Sequence, residues 1–220
     1  MCIYINDYFT TINLSTIRKI LKWFRQAFAY YIKDEYRFNK LGNRNGTSNI
    51  SVDESMFTHI SSQKIWVVGA KNNTNGKIRI DIFKIRNTEN SKTFIFNHIK
   101  ENNNIITDCW PAYNFFDDDN ANYNHEVHMH GPQGNFGFGE HLTSHIEGVW
   151  DILKDNIRKV YTKITSKNFI LFLHEAEMGY IMRDLTNKKK ILEIFEYLYN
   201  TVNFELYDLD ELEDPFAYDY

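Results

Sequence analysis

The segment Asn72-Asn-Thr-Asn-Gly76 lies between two apolar runs, and that arrangement leaves the chain little choice but to reverse on itself. Before it, Lys64-Ile-Trp-Val-Val-Gly-Ala70 is apolar enough to be a central strand. After it, residues 77–85 alternate Ile78, Ile80 and Ile82 with Arg79, Asp81 and Phe83, the period of a half-buried strand. Asn and Gly are turn formers, so the two runs are expected as an antiparallel hairpin. A third apolar run, residues 50–57, precedes them. Residues 88–100 read as a helix, 104–108 as a short buried strand and 123–129 as another strand. Residues 144–160 carry a strong helical pattern, followed by helices over 168–184 and 188–200. Three antiparallel strands, then parallel strands alternating with helices on one sheet, define an α/β, RNase H-like mixed sheet flanked by helices.

Ahead of that sheet the chain predicts an N-terminal helical appendage. Residues 15–36 place Ile17, Ile20, Leu21, Phe24, Phe28 and Ile32 at helical spacing, with Ser15 as the N-cap. Arg18, Lys19, Lys22, Arg25 and Lys33 then form a solvated basic face, or the DNA-contacting face of a helix-turn-helix remnant. Residues 37–49 are polar and rich in Gly and Asn, as a linker would be. The expected division is an N-terminal helical segment over 1–40, a main domain over 50–185, a C-terminal helix over 186–204 and an acidic tail over 205–220.

Charge first argues against nucleic acid, because the chain is −4 overall. Its distribution reverses that argument. Glu205, Asp208, Asp210, Glu211, Glu213, Asp214 and Asp219 crowd the last sixteen residues without a single Lys or Arg. Without those seven, 22 acids face 25 bases and the body is +3. No apolar run approaches the ~20 residues of a membrane span, and no signal-peptide pattern opens the chain. An intracellular protein is expected, in the nucleus of a eukaryote or otherwise in the cytoplasm or nucleoid. Cys2 and Cys109 are too far apart for a zinc ribbon or a disulfide framework.

Three carboxylates stand in settings that suggest chemistry. Asp53 and Asp108 follow short β-branched runs, and Glu147 opens the helix over 144–160. Cleaving a phosphodiester requires an activated nucleophile and a stabilised leaving oxygen, which two divalent ions can supply together. Mg²⁺ (or Mn²⁺) takes oxygen ligands, so carboxylates converging from two strands and a helix suit it. Ile146, Val149, Trp150, Leu153, Ile157 and Val160 form one apolar stripe on that helix, with Glu147, Asp151, Lys154 and Arg158 along its flank. Lys154 and Arg158 are candidates for phosphate contact.

The segments Val52-Asp-Glu-Ser-Met-Phe57, Ile65-Trp-Val-Val-Gly69, Ile106-Thr-Asp-Cys-Trp-Pro-Ala-Tyr113 and Ile146-Glu-Gly-Val-Trp-Asp-Ile-Leu-Lys154 occur in that order. Together they resemble the ISXO-type insertion-sequence transposases and their eukaryotic Merlin relatives, over about residues 50–185. The resemblance implies a DDE transposase with Asp53, Asp108 and Glu147 as catalytic residues and ligands of two ions. It further implies double-stranded DNA as partner, at transposon ends and target, and a homodimer on DNA. Glu54 matches the second acid of the first motif; as the next residue on a strand it points to the opposite face, so its role is supporting. Two stretches depart from the family pattern. Val127-His-Met-His130-Gly and Leu142-Thr-Ser-His145 keep only His130 and Thr143 of the His-rich stretch before the Glu motif, and a late Glu-x-x-Trp-Arg stands as Glu175-Ala-Glu-Met-Gly.

Two other functions remain open on the sequence. One is a transposase-derived DNA-binding protein without catalysis. The other is a zinc hydrolase built on His125, His128, His130, His141 and His145, although their spacing matches no strong zinc pattern. The favoured reading has these histidines lining a DNA-facing loop, with His130 against a phosphate and the Gly-rich segment 131–139 ordering on DNA.

Overall fold

The computed structural model describes residues 13–60, 63–83, 85–117, 122–128, 144–161 and 164–183, together with 189, 192, 193, 196 and 197. His130, the Gly-rich segment 131–139, the acidic tail and most of the expected helix over 188–200 lie outside the described residues. Two compact units are distinguished: Asp34–Ser166, and Met1–Lys33 together with Lys167–Tyr220.

The larger unit is built on one five-stranded mixed sheet. Its strands are β1 (Asn49–Ile60), β2 (Gln63–Asn72), β3 (Ile78–Phe83), β4 (Asn104–Thr107) and β5 (Asn124–Val127). Their order is β3-β2-β1-β4-β5. β1, β2 and β3 are antiparallel neighbours, whereas β4 runs parallel to β1 and β5 parallel to β4. This is the RNase H-like layout expected from the order of periodicities. The hairpin forms as its turn residues require: the Asn72 side chain accepts from the Thr74 and Asn75 N–H groups at 3.0 and 3.3 Å, and Gly76 takes a left-handed φ of 70°.

Helix α2 (Thr88–His98) starts at Asn87, whose side chain accepts from the Asn90 N–H at 2.9 Å. With the 3-10 turn Pro111–Asp117 it contributes to a core on one side of the sheet, where Ile50, Val52, Val68, Ile95, Ile105 and Tyr113 are buried. Helix α3 (Ser144–Val160) packs on β1 and β2, and its predicted stripe of Ile146, Val149, Trp150, Leu153 and Ile157 is buried.

The expected linker over 37–49 is ordered instead. Leu41 is 2 % exposed and forms a parallel bridge to Ile99. Asn103, fully buried, donates from Nδ2 to the carbonyls of Asn43, Lys100 and Glu101 and accepts from the Ser48 N–H at Oδ1. A single amide side chain from a distant loop thereby satisfies backbone groups that a solvated linker would leave to water.

Helix α1 (Leu14–Phe38) begins in the smaller unit and ends in the larger. Its cap is Asn13 rather than Ser15: the Asn13 side chain accepts from the Ser15 N–H at 3.0 Å. The expected apolar stripe is interrupted, because Ile20 is 45 % exposed while Gln26, Ala27 and Ala29 are buried. Arg25, expected on a solvated face, pairs with Glu175 of helix α4 (Ser166–Ile181) at 2.7 Å and lies over the Phe172 ring.

Candidate active site

Alternation along β1 sends Asp53, Ser55 and Phe57 to the sheet face that meets α3, and Val52 and Glu54 to the other. On α3, Trp150 and Lys154 stand one turn apart and meet that row. The Trp150 indole Nε1 donates to Asp53 Oδ2 at 2.9 Å, and its ring meets Phe57 edge-on with centroids 5.7 Å apart. Lys154 Nζ donates to Ser55 Oγ at 2.7 Å and lies 5.3 Å from the centre of the Phe57 ring.

Gly69 makes this approach possible. It is the cross-strand partner of Asp53, and a Cβ there would stand 2.3 Å from Trp150 Cη2. The glycine of Trp-Val-Val-Gly and the tryptophan of Glu-Gly-Val-Trp are thus two halves of one contact.

Asp108 arrives by strand register. β1 and β4 pair from Asn49↔Asn104 to Ser51↔Ile106, and two residues further along both strands come Asp53 and Asp108. Asp108 Oδ1 accepts from the Trp110 N–H at 2.9 Å, a side-chain turn that leads into the 3-10 segment. Glu147 is exposed in the first turn of α3. Asp53 reports the convergence. Burial raises its pKa, the Trp150 and Glu54 N–H groups oppose that rise, and the negative charges of Asp108 and Glu147 add to it. The charges of Asp108 and Glu147 therefore both reach the Asp53 carboxyl. Among the described residues, no three His, Cys, Asp or Glu side chains are close enough to hold a metal ion as they stand. By donor chemistry the set is all carboxylate oxygen, which suits Mg²⁺ or Mn²⁺ rather than a softer ion.

Lys154 stands next to this acidic field. Burial and the neighbouring Arg158 lower its pKa, while Asp151 and Asp53 hold it up. Arg158 is exposed one turn further on.

The reverse face of β1 carries a second polar group. Glu54 is on the opposite side, as expected, and is buried there, its Oε1 accepting from the Tyr113 hydroxyl and its Oε2 from Arg86 Nη2 at 3.1 Å. Burial pushes the Glu54 carboxyl up to about 7, against the opposing pull of Tyr113 and Arg86. The Arg86 guanidinium sits over Trp66 and Trp110, 4.6 and 4.0 Å from the ring centres. Sequence reasoning found Trp110 and Tyr113 only as motif letters and missed Arg86. The available signal was the adjacent acid pair Asp53-Glu54, since a strand must bury one of two such neighbours and a buried acid needs partners.

Among the described residues, the histidines form no cluster that could hold a metal ion. His125 is part of β5, stacked on Phe116 at 4.3 Å with Nε2 2.9 Å from Thr107 Oγ1, and burial lowers its pKa. It is a packing residue of the sheet rather than part of a DNA-facing loop. His145 lies in the first turn of α3, where its carbonyl accepts from Lys71 Nζ. His130 and His141 lie outside the described residues.

A family model described as the ISXO2-like transposase domain matches residues 31–178. No curated protein matches the sequence. Among solved structures, the chain is similar to a simian T-cell lymphotropic virus intasome in complex with PP2A regulatory subunit B56 gamma, at 14 % identity and a TM-score of 0.45, covering 63 % of this chain and 49 % of that one. The match thus spans about half the length of that structure's chain. It is also similar to the HTLV-2 integrase catalytic core domain in complex with magnesium. The dimeric form matches at 10 % identity and TM-score 0.41, covering 60 % of this chain and 82 % of that one. The trimeric form matches at 12 % and 0.45, covering 64 % and 90 %.

Proposed function

The chain belongs to the ISXO2-like transposase domain family, and from that premise we propose that it is a DDE transposase whose Asp53, Asp108 and Glu147 carry the reaction. The observation that supports this most is electrostatic: Asp53 is raised in part by the charges of both Asp108 and Glu147. Charges on residues so widely separated in sequence bear on Asp53 only where the fold draws them towards it, as the β1–β4 register does for Asp108. Two divalent ions bound there would activate the attacking oxygen and stabilise the leaving one.

In the first step water attacks phosphorus at a transposon end, and the bond to the 3′ oxygen breaks to leave a 3′-hydroxyl and a 5′-phosphate. That hydroxyl then attacks a target phosphodiester and displaces its 3′ oxygen. The chain's own residues hold the geometry. Trp150 fixes the Asp53 carboxylate through one oxygen, and the turn at Trp110 fixes that of Asp108. Lys154 exchanges its Ser55 hydroxyl for a backbone phosphate. Arg158 and His130 extend the phosphate contacts, and a homodimer on double-stranded DNA brings two ends together. Among the described residues no helix is long and apolar enough to cross a membrane.

The test is cleavage of DNA carrying the element's ends, in Mg²⁺ or Mn²⁺, by the wild type and Asp108→Asn. Metal-dependent cutting is expected, with the variant slower by at least ~10³-fold. DNA binding without cutting by the wild type would instead identify a transposase-derived binding protein, and stoichiometric zinc in the purified chain would revive the histidine-based hydrolase.

A further inference from the structure

We propose that Arg86 is a positioning residue that sets the spacing of Asp53 and Asp108 from the reverse side of the sheet; this rests on the transposase reading above. Arg86 reaches both acids through short links. Its Nη2 holds Glu54 Oε2 at 3.1 Å, and Glu54 is the peptide neighbour of Asp53. Its guanidinium carbon lies 4.0 Å from the Trp110 ring centre, and the backbone N–H of that tryptophan holds Asp108 Oδ1 at 2.9 Å. Trp66 of β2 covers the guanidinium at 4.6 Å. Tyr113 completes the assembly by donating to the other Glu54 oxygen while meeting Trp110 edge-on at 5.7 Å.

The chemistry favours this role over simple filling. Among the described residues Arg86 Nε is buried without a hydrogen-bond partner, so the residue sacrifices a donor to keep its guanidinium against two indoles. An apolar side chain of similar volume would fill the gap without that cost. What it would lose is the rigid fork and flat face through which Arg joins a carboxylate to an aromatic layer. β1 and β4 pair only as far as Ser51↔Ile106, so their ladder ends before the acids. The link through Arg86 supplies the missing constraint between them.

The experiment measures end-DNA cleavage against Mn²⁺ concentration and, separately, calorimetric Mn²⁺ binding to the full chain without DNA. The variants are Arg86→Met, Arg86→Lys and, as a control, Arg79→Met. Arg79 is buried in β3, where it serves Glu35 and the Asn39 carbonyl away from the acids. Arg86→Met is expected to raise the half-saturating Mn²⁺ about ten-fold or more, with the maximal rate recovered at high Mn²⁺. Arg86→Lys should fall between it and the wild type, and Arg79→Met should lose stability without shifting the Mn²⁺ dependence. A merely structural defect lowers the active fraction, and so the maximal rate, leaving half-saturation unmoved. If Arg86→Met does not fold, Arg86→Lys decides on the same readout. Unshifted Mn²⁺ binding in the Arg86 variants of a metal-dependent wild type overturns this inference and leaves the transposase reading intact. A wild type that neither binds Mn²⁺ nor cuts overturns that reading, and this inference with it.

Discussion

At Asp53 two effects oppose each other: burial favours the neutral acid, and the Trp150 N–H favours the anion. Trp150→Phe keeps a ring against Phe57 but removes the donor. The Asp53 carboxyl should then titrate higher still, which carboxyl NMR would record. The loss of stability follows the anion. The part owed to the hydrogen bond should reach about 1–3 kcal/mol at neutral pH and vanish in acid, where Asp53 is protonated with or without the indole, leaving the pH-independent cost of the smaller ring. An unchanged titration would mean that the indole does not hold the acid. Trp150 was legible in the sequence as a member of an apolar stripe but not as a donor. Periodicity reports which face of a helix is buried, not which atom of that face meets which atom across the gap. Arg86 was illegible for a related reason: it lies in a connection, where no period marks it.

Elements were read best where a single face governs them. The helix over 144–160 formed with the predicted bounds because its stripe covers β1 and β2. The stretch over 37–49 was misread because its order comes from Asn103, 55 residues beyond Ser48. Local composition carries no trace of so distant a partner. α2 illustrates a similar dependence at its last turn, where His98 lies edge-on to Tyr36 at 5.3 Å and tilted against Phe94 at 4.8 Å, with Nδ1 buried and, among the described residues, without a hydrogen-bond partner. Burial, with Arg79 and Lys40 adding, lowers its pKa to about 4. The unfolded chain therefore binds a proton near pH 6.5 that the folded chain refuses until about pH 4. Stability should fall as pH drops through that window, by up to about 3 kcal/mol from this one group. Urea melts at neutral and acid pH should show that slope reduced in His98→Phe; an equal slope in the variant would assign the acid sensitivity to other groups.

For the whole molecule, sheet topology was legible because the strand and helix periods follow one another in an order that few layouts satisfy. The charge balance carries its own expectation. Deleting residues 205–220 changes the net charge from −4 to +3. Nonspecific affinity for duplex DNA should rise several-fold at low salt, with the gain shrinking as salt increases. Fluorescence anisotropy at two ionic strengths checks this, and equal affinities would mean that the charge of the tail does not bear on DNA binding. The contact between Gly69 and Trp150 has a consequence for how copies of such a gene diverge. A methyl at position 69 cannot coexist with the indole at 150, and a smaller residue at 150 leaves Asp53 without its donor. The two sites are therefore inherited as one choice. A glycine-to-alanine change at a residue that carries no reacting group, but pairs with Asp53 across the strands, would displace the indole that holds the acid, and single-step drift could not repair it from the tryptophan side.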